Sequence, residues 1–437
     1  MKYNFDSIID RKNTNSLKWD LFDDEYPMWV ADMDFYAAPL IYESVNRKAK
    51  HGVYAYSFVN DEIFDSYANW WKKYGLAIER DELLFATGVM PSITSIIRAF
   101  TDVGDNVLIQ TPVYHVFFYV IEDNGRNVVE NQLIYDSDSN DVETAYAIDF
   151  NDLEEKFKDP KTKLMLLCNP HNPIGRIWDE KTLEKIAVLA NKYDVIVVSD
   201  EIHCDLTDPD LKYVPFASLD DKLSKNSITC ISPSKTFNIA GLQSSAVFTR
   251  NKELYEILEK QLSVDCFNHP NIFSIDSTIA AYKSEDWLNE LREVLFENKM
   301  IVDEFLKSEI PEIRLVPANA TYLLWLDCSR LRGENFEDCE FSTYLSESLR
   351  ENVSLFLSPG IQFGQNGDNF LRMNIACPKD LLLEGLNALK TGIEKFKKEN
   401  NLWILKDSKN SNFFESIKNK KSREILFILI SLPTLFV

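Results

Sequence analysis

Five predicted β-strands in this 437-residue chain are each followed by residues that could hold or transform a small molecule. The strands are ELLFAT (82–87), NVLIQT (106–111), KLMLLC (163–168), VIVV (195–198) and SITC (227–230). The residues that follow them are, in the same order, Gly88-Val89-Met90, Tyr114, Asn172, Asp200 with His203, and Ser232 with Lys235. Ligands of open parallel sheets bind outside the carboxyl ends of the strands. We therefore expect these groups to converge on one crevice.

The residue types in this set meet the needs of one cofactor, pyridoxal 5′-phosphate (PLP). A lysine amine, here Lys235, forms a Schiff base with its aldehyde, and an aromatic ring such as Tyr114 stacks on the cofactor ring. A carboxylate, here Asp200, keeps the ring nitrogen protonated because an opposite charge favours the charged form. The glycine turn Gly88–Met90 at a helix N-terminus offers N–H donors to a phosphate. The sequence therefore predicts PLP as cofactor, and no metal site.

The elements that position these residues alternate between strand and helix. Helical spacing in PSITSIIRAF (91–100) and DEKTLEKIAVLANKYD (179–194), between continuous apolar strands, predicts an α/β domain around a mostly parallel sheet. From about Trp287 a long helix leads into the strands ATYLLWLDC and NFLRMNIAC, which predict a smaller α+β domain of two or three strands. We expect four regions: an N-terminal segment (1–45) that packs with the small domain, a large cofactor-binding domain (46–286), a small domain (287–397) and an extension of unknown role (398–437).

Charge and cysteine usage limit the partners. With 47 Lys and Arg against 69 Asp and Glu, the net charge is −22, which argues against nucleic acid or an anionic membrane surface. The seven cysteines form no Cys-x-x-Cys pair and several lie in apolar runs, which is typical of reduced core residues. The N-terminus has no apolar signal region, so we expect a cytoplasmic protein. The apolar end, Ile425 to Val437, is shorter than the roughly 20 residues that span a bilayer.

Eight strings along the chain resemble a known family. They are YNFDSIIDRKNTNSLKWD, PMWVADMDF, HGVYAYS, TPVYHVFF, LLCNPHNPIGR, VVSDEIHCDL, SPSKTFNIAGLQ and FLRMNIACP, in that order between residue 3 and about residue 378. The chain resembles fold-type I PLP enzymes of the class I/II aminotransferase superfamily and, more narrowly, the MalY/PatB branch of cystathionine β-lyases. The resemblance implies a seven-stranded-type sheet flanked by helices and a homodimer with shared active sites.

The resemblance also implies a role for each matching residue. Lys235 is the covalent attachment point and the base that moves the Cα proton. Asn172 and His203 bond to the phenolic oxygen of the cofactor. The remaining residues are Ser232 and Tyr56 at the phosphate, Tyr56 reaching it from the neighbouring subunit, and Arg372 and Ala31 at the amino-acid substrate, where the Arg372 guanidinium binds the α-carboxylate.

The chain departs from the wider superfamily at one position. Many aminotransferases place an arginine eight residues after the lysine to hold the phosphate, and this chain has Gln243 there. The exchange removes a full charge and a two-pronged donor. Phosphate binding is therefore expected to depend more on backbone N–H groups and hydroxyls.

The candidate catalytic residues do not by themselves choose the reaction. A β-lyase expels a group from Cβ, whereas an aminotransferase passes the amino group to a keto acid, and both need Lys235, Asp200 and Arg372. The branch resemblance favours a carbon–sulfur β-lyase that cleaves cystathionine or related cysteine S-conjugates to a thiol, pyruvate and ammonia. A class I/II aminotransferase is the alternative, and a mainly regulatory binding protein is a third possibility.

Overall fold

The helices and strands follow the predicted alternation. The computed structural model describes residues 2–333, 336 and 340–400. The strands are β1 (Tyr26–Pro27), β2 (Leu83–Ala86), β3 (Asn106–Ile109), β4 (Asn127–Glu130), β5 (Ile134–Tyr135), β6 (Tyr146–Ala147), β7 (Thr162–Cys168), β8 (Ile196–Asp200), β9 (Ser227–Ile231), β10 (Ser245–Phe248), β11 (Arg314–Leu315), β12 (Leu323–Asp327), β13 (Leu355–Phe356), β14 (Ser358–Pro359) and β15 (Phe370–Asn374). The helices are α1 (Leu17–Asp20), α2 (Pro39–His51), α3 (Asp61–Trp71), α4 (Val89–Phe100), α5 (Val116–Glu122), α6 (Val142–Ala145), α7 (Phe150–Lys158), α8 (Glu180–Lys192), α9 (Asp221–Ser224), α10 (Lys252–Val264), α11 (Ser274–Tyr282), α12 (Glu285–Glu309), α13 (Phe341–Val353) and α14 (Lys379–Glu399).

The main sheet has seven strands in the order β2-β10-β9-β8-β7-β3-β4. β10 runs antiparallel to both of its neighbours, and the other pairs are parallel. Along β7, Leu164 and Leu166 belong to a core with α4, α5 and α10, whereas Met165 and Leu167 belong to a core with α7 and α8. Helices on both faces explain why the strands are apolar throughout. The predicted α/β fold with a mostly parallel seven-stranded sheet is confirmed.

A second sheet, β11-β12-β15-β14, is antiparallel and has four strands where the sequence predicted two or three. Helices α12, α13 and α14 pack on this part of the chain. N-terminal residues contact the same part of the chain: Tyr26 of β1 pairs with Leu355 of β13 in a separate two-stranded sheet, and the Phe5 ring lies 5.5 Å from that of Trp287.

These contacts support the division that we propose: an N-terminal segment at 1–45, a large domain at 46–286 and a small domain at 287–397. The extension from 398 lies outside the described residues after residue 400. Among the helices of the described part, none combines the length and the apolar character needed to cross a membrane.

Candidate active site

A cavity of about 320 Å³ opens at the carboxyl ends of β7 and β8 and at the N-terminus of α4. Nine predicted residues line it, drawn from six separate stretches of the chain: Ala31, Gly88, Val89, Met90, Tyr114, Asn172, Asp200, His203 and Lys235. Three other predicted residues, Ser232, Arg372 and Tyr56, are not on its wall. The fold therefore brings most of the predicted groups together.

Lys235 presents an amine in a buried setting. Its Nζ donates a hydrogen bond of 2.8 Å to the carbonyl oxygen of Ala31. Burial lowers the pKa of the amine to about 8, while the Asp32 carboxylate raises it and the Arg372 guanidinium lowers it. Because a lysine amine is a nucleophile or a base only when neutral, this environment suits it to both roles near neutral pH.

Asp200 is the last residue of β8 and its side chain is buried. Its Oδ1 accepts a 3.1 Å hydrogen bond from the backbone N–H of Ile202. Burial raises the pKa of the carboxyl to about 7, against the lowering effects of the Ile202 N–H and of Lys235. A cation beside this carboxyl would favour its ionised form, so the site fits a protonated ring nitrogen.

The α4 end of the cavity is suited to an anion. Gly88 caps α4, and Val89 and Met90 in the first turn have N–H groups that the helix itself cannot satisfy. Gln243 also lies on the cavity wall, with a left-handed φ of 52°. The position that carries an arginine in many aminotransferases is thus at the cavity, but it supplies no charge here.

Ser232 is not on the cavity wall, and its hydroxyl is hydrogen-bonded within the protein. Its hydroxyl donates to the carbonyl of Ser244 at 2.7 Å and accepts from the N–H of Ser234 at 3.1 Å, so it is occupied within the protein. Ser234 and Ser244 line the cavity instead. Sequence reasoning passed over Ser234, although the Ser-Pro-Ser-Lys spacing puts it directly before Lys235.

Three further cavity residues carry polar groups that could contact the ring of a bound ligand. Asn172 Oδ1 accepts from Arg372 Nη1 at 3.2 Å, which leaves the amide N–H₂ as the donor of Asn172. His203 is buried with no hydrogen-bond partner at Nδ1, and burial lowers its pKa to about 3, so the imidazole is neutral. Burial raises the pKa of Tyr114 to about 12, so its hydroxyl stays protonated.

Arg372 lies on β15, behind Asn172, and is buried. Its Nη2 donates to the carbonyl of Trp29 at 2.8 Å, and its Nε has no hydrogen-bond partner. Burial lowers its pKa to about 10, which still leaves it charged at neutral pH. Its hydrogen-bond partners in the described part of the chain are neutral oxygens, so the charge is free to meet an anionic group such as an α-carboxylate.

Tyr322 is a neighbour of the site that the sequence analysis did not single out. Its hydroxyl donates at 2.9 Å to the carbonyl of Ala31, the same oxygen that receives Lys235 Nζ. It lies in the stretch ATYLLWLDC, whose apolar pattern predicts a buried strand and gives no sign of a polar contact. Tyr56, in contrast, is fully exposed and is not on the cavity wall of its own chain.

The fold and the cavity together define a class of protein. Residues 42–389 match the family described as "Aminotransferase class I and II", and the chain belongs to this family. It is similar to "Cystathionine beta-lyase PatB" of Bacillus subtilis, at 37% identity over 398 residues, which cover 89% of this chain and 100% of the relative. It is also similar to "Protein MalY" of Escherichia coli, at 30% identity over 401 residues, covering 90% of this chain and 99% of the relative.

Among solved structures, the chain is similar to cystalysin from Treponema denticola, which contains a pyridoxal 5′-phosphate cofactor. The TM-score is 0.84 at 32% identity, and the match covers 91% of this chain and 100% of the other. The family resemblance that the sequence predicted is therefore confirmed.

Proposed function

We propose that this chain is a PLP-dependent carbon–sulfur β-lyase that cleaves cystathionine or related cysteine S-conjugates to a thiol, pyruvate and ammonia. The observation that carries the proposal is the similarity to a cystathionine β-lyase along the whole length of that relative, at 37% identity. A class I/II aminotransferase is the alternative, because the family description covers aminotransferases.

The cavity residues fit PLP. Lys235 would hold the aldehyde carbon, Asp200 the ring nitrogen, and the N–H groups at the start of α4 the phosphate. The unpartnered Nδ1 of buried His203 is a polar atom that such a ligand could satisfy. When bound, PLP withdraws electrons from the Cα of the attached amino acid.

The side chains would then control the bond changes. Arg372 binds the α-carboxylate and so fixes the orientation of Cα. The neutral Lys235 amine, held near Ala31, takes the Cα proton. Loss of that proton lets the electron pair form the Cα–Cβ double bond as the Cβ–S bond breaks, and the sulfur departs as a thiolate that is protonated to a thiol. The enamine that remains takes up one water and gives pyruvate and ammonia.

The experiment supplies cystathionine without any keto acid and measures pyruvate and free thiol. Both products are expected from the wild-type chain, and neither from Lys235→Ala. If pyruvate is absent and amino transfer starts once a keto acid is added, the lyase proposal fails and the aminotransferase replaces it.

We also propose that the chain forms a cytoplasmic homodimer with shared active sites. Tyr54, Tyr56 and Phe58 form an exposed apolar run within a few residues, which is typical of a protein interface. The six cysteines of the described part carry free thiols, consistent with a reducing compartment. Light scattering of the purified chain would measure its mass, and a monomer with full activity would contradict the dimer.

A further inference from the structure

A buried carboxylate close to the cavity has no role in the chemistry described so far. Asp205 lies five residues after Asp200, and its side chain is almost entirely shielded from solvent. Its carboxylate accepts hydrogen bonds from Trp70 Nε1 at 3.0 Å, from the Tyr74 hydroxyl and from Thr236 Oγ1 at 3.0 Å. None of these residues lines the cavity.

The carboxylate connects three parts of the chain. Trp70 belongs to α3, Asp205 to the loop that carries His203, and Thr236 to the turn that carries Lys235. The Nζ of Lys73 lies 3.4 Å from Asp205 and 3.2 Å from the centre of the Trp70 ring, which balances the buried charge.

Thr236 directly follows Lys235, so the contact that fixes Thr236 also fixes the backbone of Lys235. Its side chain is completely buried, and Asp205 is the partner of its hydroxyl. The turn is closed by backbone hydrogen bonds from Phe237 to Pro233, at 2.9 Å, and from Ile239 to Ser234, at 3.0 Å. Without the carboxylate, the threonine hydroxyl would be buried with no partner, so the turn is held in one place.

We infer that Asp205 and Thr236 are positioning residues for Lys235. The lysine side chain is long and flexible, so the place of its amine depends on where its backbone is fixed. Reactions between held groups are sensitive to displacements of about 1 Å, which can cost roughly 100-fold in rate. Asp205 fixes the Lys235 turn against the loop of His203, a residue that lines the same cavity. This inference rests on the PLP part of the proposed function and not on the choice between lyase and aminotransferase.

The test compares Thr236→Val with Thr236→Ser in the full-length chain after PLP has been removed. Valine keeps the shape and loses the hydroxyl, whereas serine keeps the hydroxyl. One measurement is the rate at which added PLP becomes attached, as the Lys235 amine adds to the aldehyde carbon and water leaves, followed by absorbance. The other is the affinity for pyridoxamine 5′-phosphate, which has no aldehyde and therefore reports binding without attachment.

We expect Thr236→Val to slow attachment at least about tenfold while pyridoxamine phosphate affinity stays within about twofold. Thr236→Ser should attach PLP within about threefold of the wild-type rate. For the variant Asp205→Asn, the matched control is Asp327→Asn. It also removes a buried carboxylate, one that accepts from Tyr135 at 2.8 Å outside the cavity wall, and it should attach PLP normally.

The coupling between Asp205 and Thr236 is tested with Asp205→Asn and with the double variant that combines Asp205→Asn and Thr236→Val. If the two residues act as one unit, Asp205→Asn with Thr236→Val attaches PLP no more slowly than Asp205→Asn alone. If the double variant is slowed by the product of the two single effects, the inference is overturned. It is also overturned if Thr236→Val attaches PLP at the wild-type rate, or if Thr236→Val loses pyridoxamine phosphate affinity by the same factor as attachment rate. A wild-type chain that attaches PLP but releases no pyruvate would defeat the lyase proposal and leave this inference intact.

Discussion

At the scale of single residues, the Lys235 amine has an environment that predicts a pH dependence. Burial lowers its pKa to about 8, against the Asp32 carboxylate, so at pH 7 about one tenth of the amine is neutral, compared with about one part in three thousand for an unshifted lysine. Attachment of PLP to the stripped chain should therefore speed up as pH rises, with a midpoint near 8.

Rapid-mixing absorbance across pH 6 to 11 measures this profile, and Lys235→Arg provides the blank. A rate that keeps rising in proportion to hydroxide beyond pH 10 would mean that the amine is not shifted. Asp32, Arg372 and Asp200 are the charged groups that act on this amine, whereas His203, with its pKa lowered to about 3, is neutral across this range.

Arg372 predicts a separation of binding from chemistry. Arg372→Lys keeps a positive charge but loses the two-pronged geometry and the contacts to Trp29 and Asn172. We expect KM for the amino acid to rise roughly 10- to 100-fold, since charge-assisted pairs contribute about 1.5–3 kcal/mol. Steady-state kinetics measure this, with the affinity for PLP as the control. A kcat that falls while KM stays constant would contradict the assigned role.

How much of the site could be predicted depends on the kind of contact. Lys235, Asp200 and Asn172 were accessible from the sequence because each follows a strand whose end faces one crevice. The role of Ser232 stays a prediction: its hydroxyl donates to the Ser244 carbonyl, while Ser234, which also fits the motif, lines the cavity, and the sequence gives no sign of either contact. Tyr322 was missed because its hydroxyl donates a hydrogen bond to the carbonyl of Ala31, which lies 291 positions away in the sequence.

At the scale of elements, apolar runs located the buried strands of the main sheet within one or two residues. β4 was missed because it is an edge strand whose residues are partly exposed, so it lacks a continuous apolar signature. The antiparallel position of β10 between β2 and β9 was also hidden, since strand order arises from long-range pairing. The four-stranded small sheet was underestimated because β11 and β14 have only two residues each.

The turn that carries Asn172 gives a prediction at the scale of elements. Gly175 has φ +67°, and a Cβ there would lie 2.7 Å from the Cβ of Ala318 and 2.9 Å from the carbonyl oxygen of Ala320. Its own carbonyl accepts from the N–H groups of Asn319 and Ala320. Gly175→Ala should therefore force the turn and the 318–320 segment apart.

The control is Gly104→Ala, since Gly104 also has a positive φ, of 90°, but has open space around the Cβ position. The control should lose about 1 kcal/mol from backbone strain alone, whereas Gly175→Ala should lose at least about 2 kcal/mol. Thermal unfolding midpoints compare the two variants. Equal midpoints would show that the close packing of this turn contributes nothing.

At the scale of the whole molecule, one cavity collects groups from chain regions that are far apart. Ala31 of the N-terminal segment and Lys235 of the large domain line it, and Arg372 of the small sheet, which is not on its wall, donates a hydrogen bond to the cavity residue Asn172. A movement between these regions would change the distance from Arg372 to Lys235. In the proposed reaction the substrate would bridge the two parts, because its α-carboxylate would bind Arg372 while its Cα lies beside Lys235.

Tyr56 is the one predicted site residue that needs a second molecule. It is fully exposed and does not line the cavity of its own chain, so a role at the phosphate requires the cavity of a partner. Tyr56→Ala should bind PLP too weakly to release pyruvate at a PLP concentration that saturates the wild-type chain, and Lys235→Ala should release no pyruvate. In a dimer that mixes the two variants, one cavity receives Lys235 from one subunit and Tyr56 from the other and is therefore intact.

Equal amounts of the two inactive variants, unfolded and refolded together, should regain about one quarter of wild-type pyruvate release, since half of the dimers are mixed and each has one intact cavity. Each variant carried through the same refolding by itself should stay inactive, which controls for reactivation. If Tyr56 instead served its own chain, no cavity in the mixture would be intact, and activity would stay at the level of the separate variants.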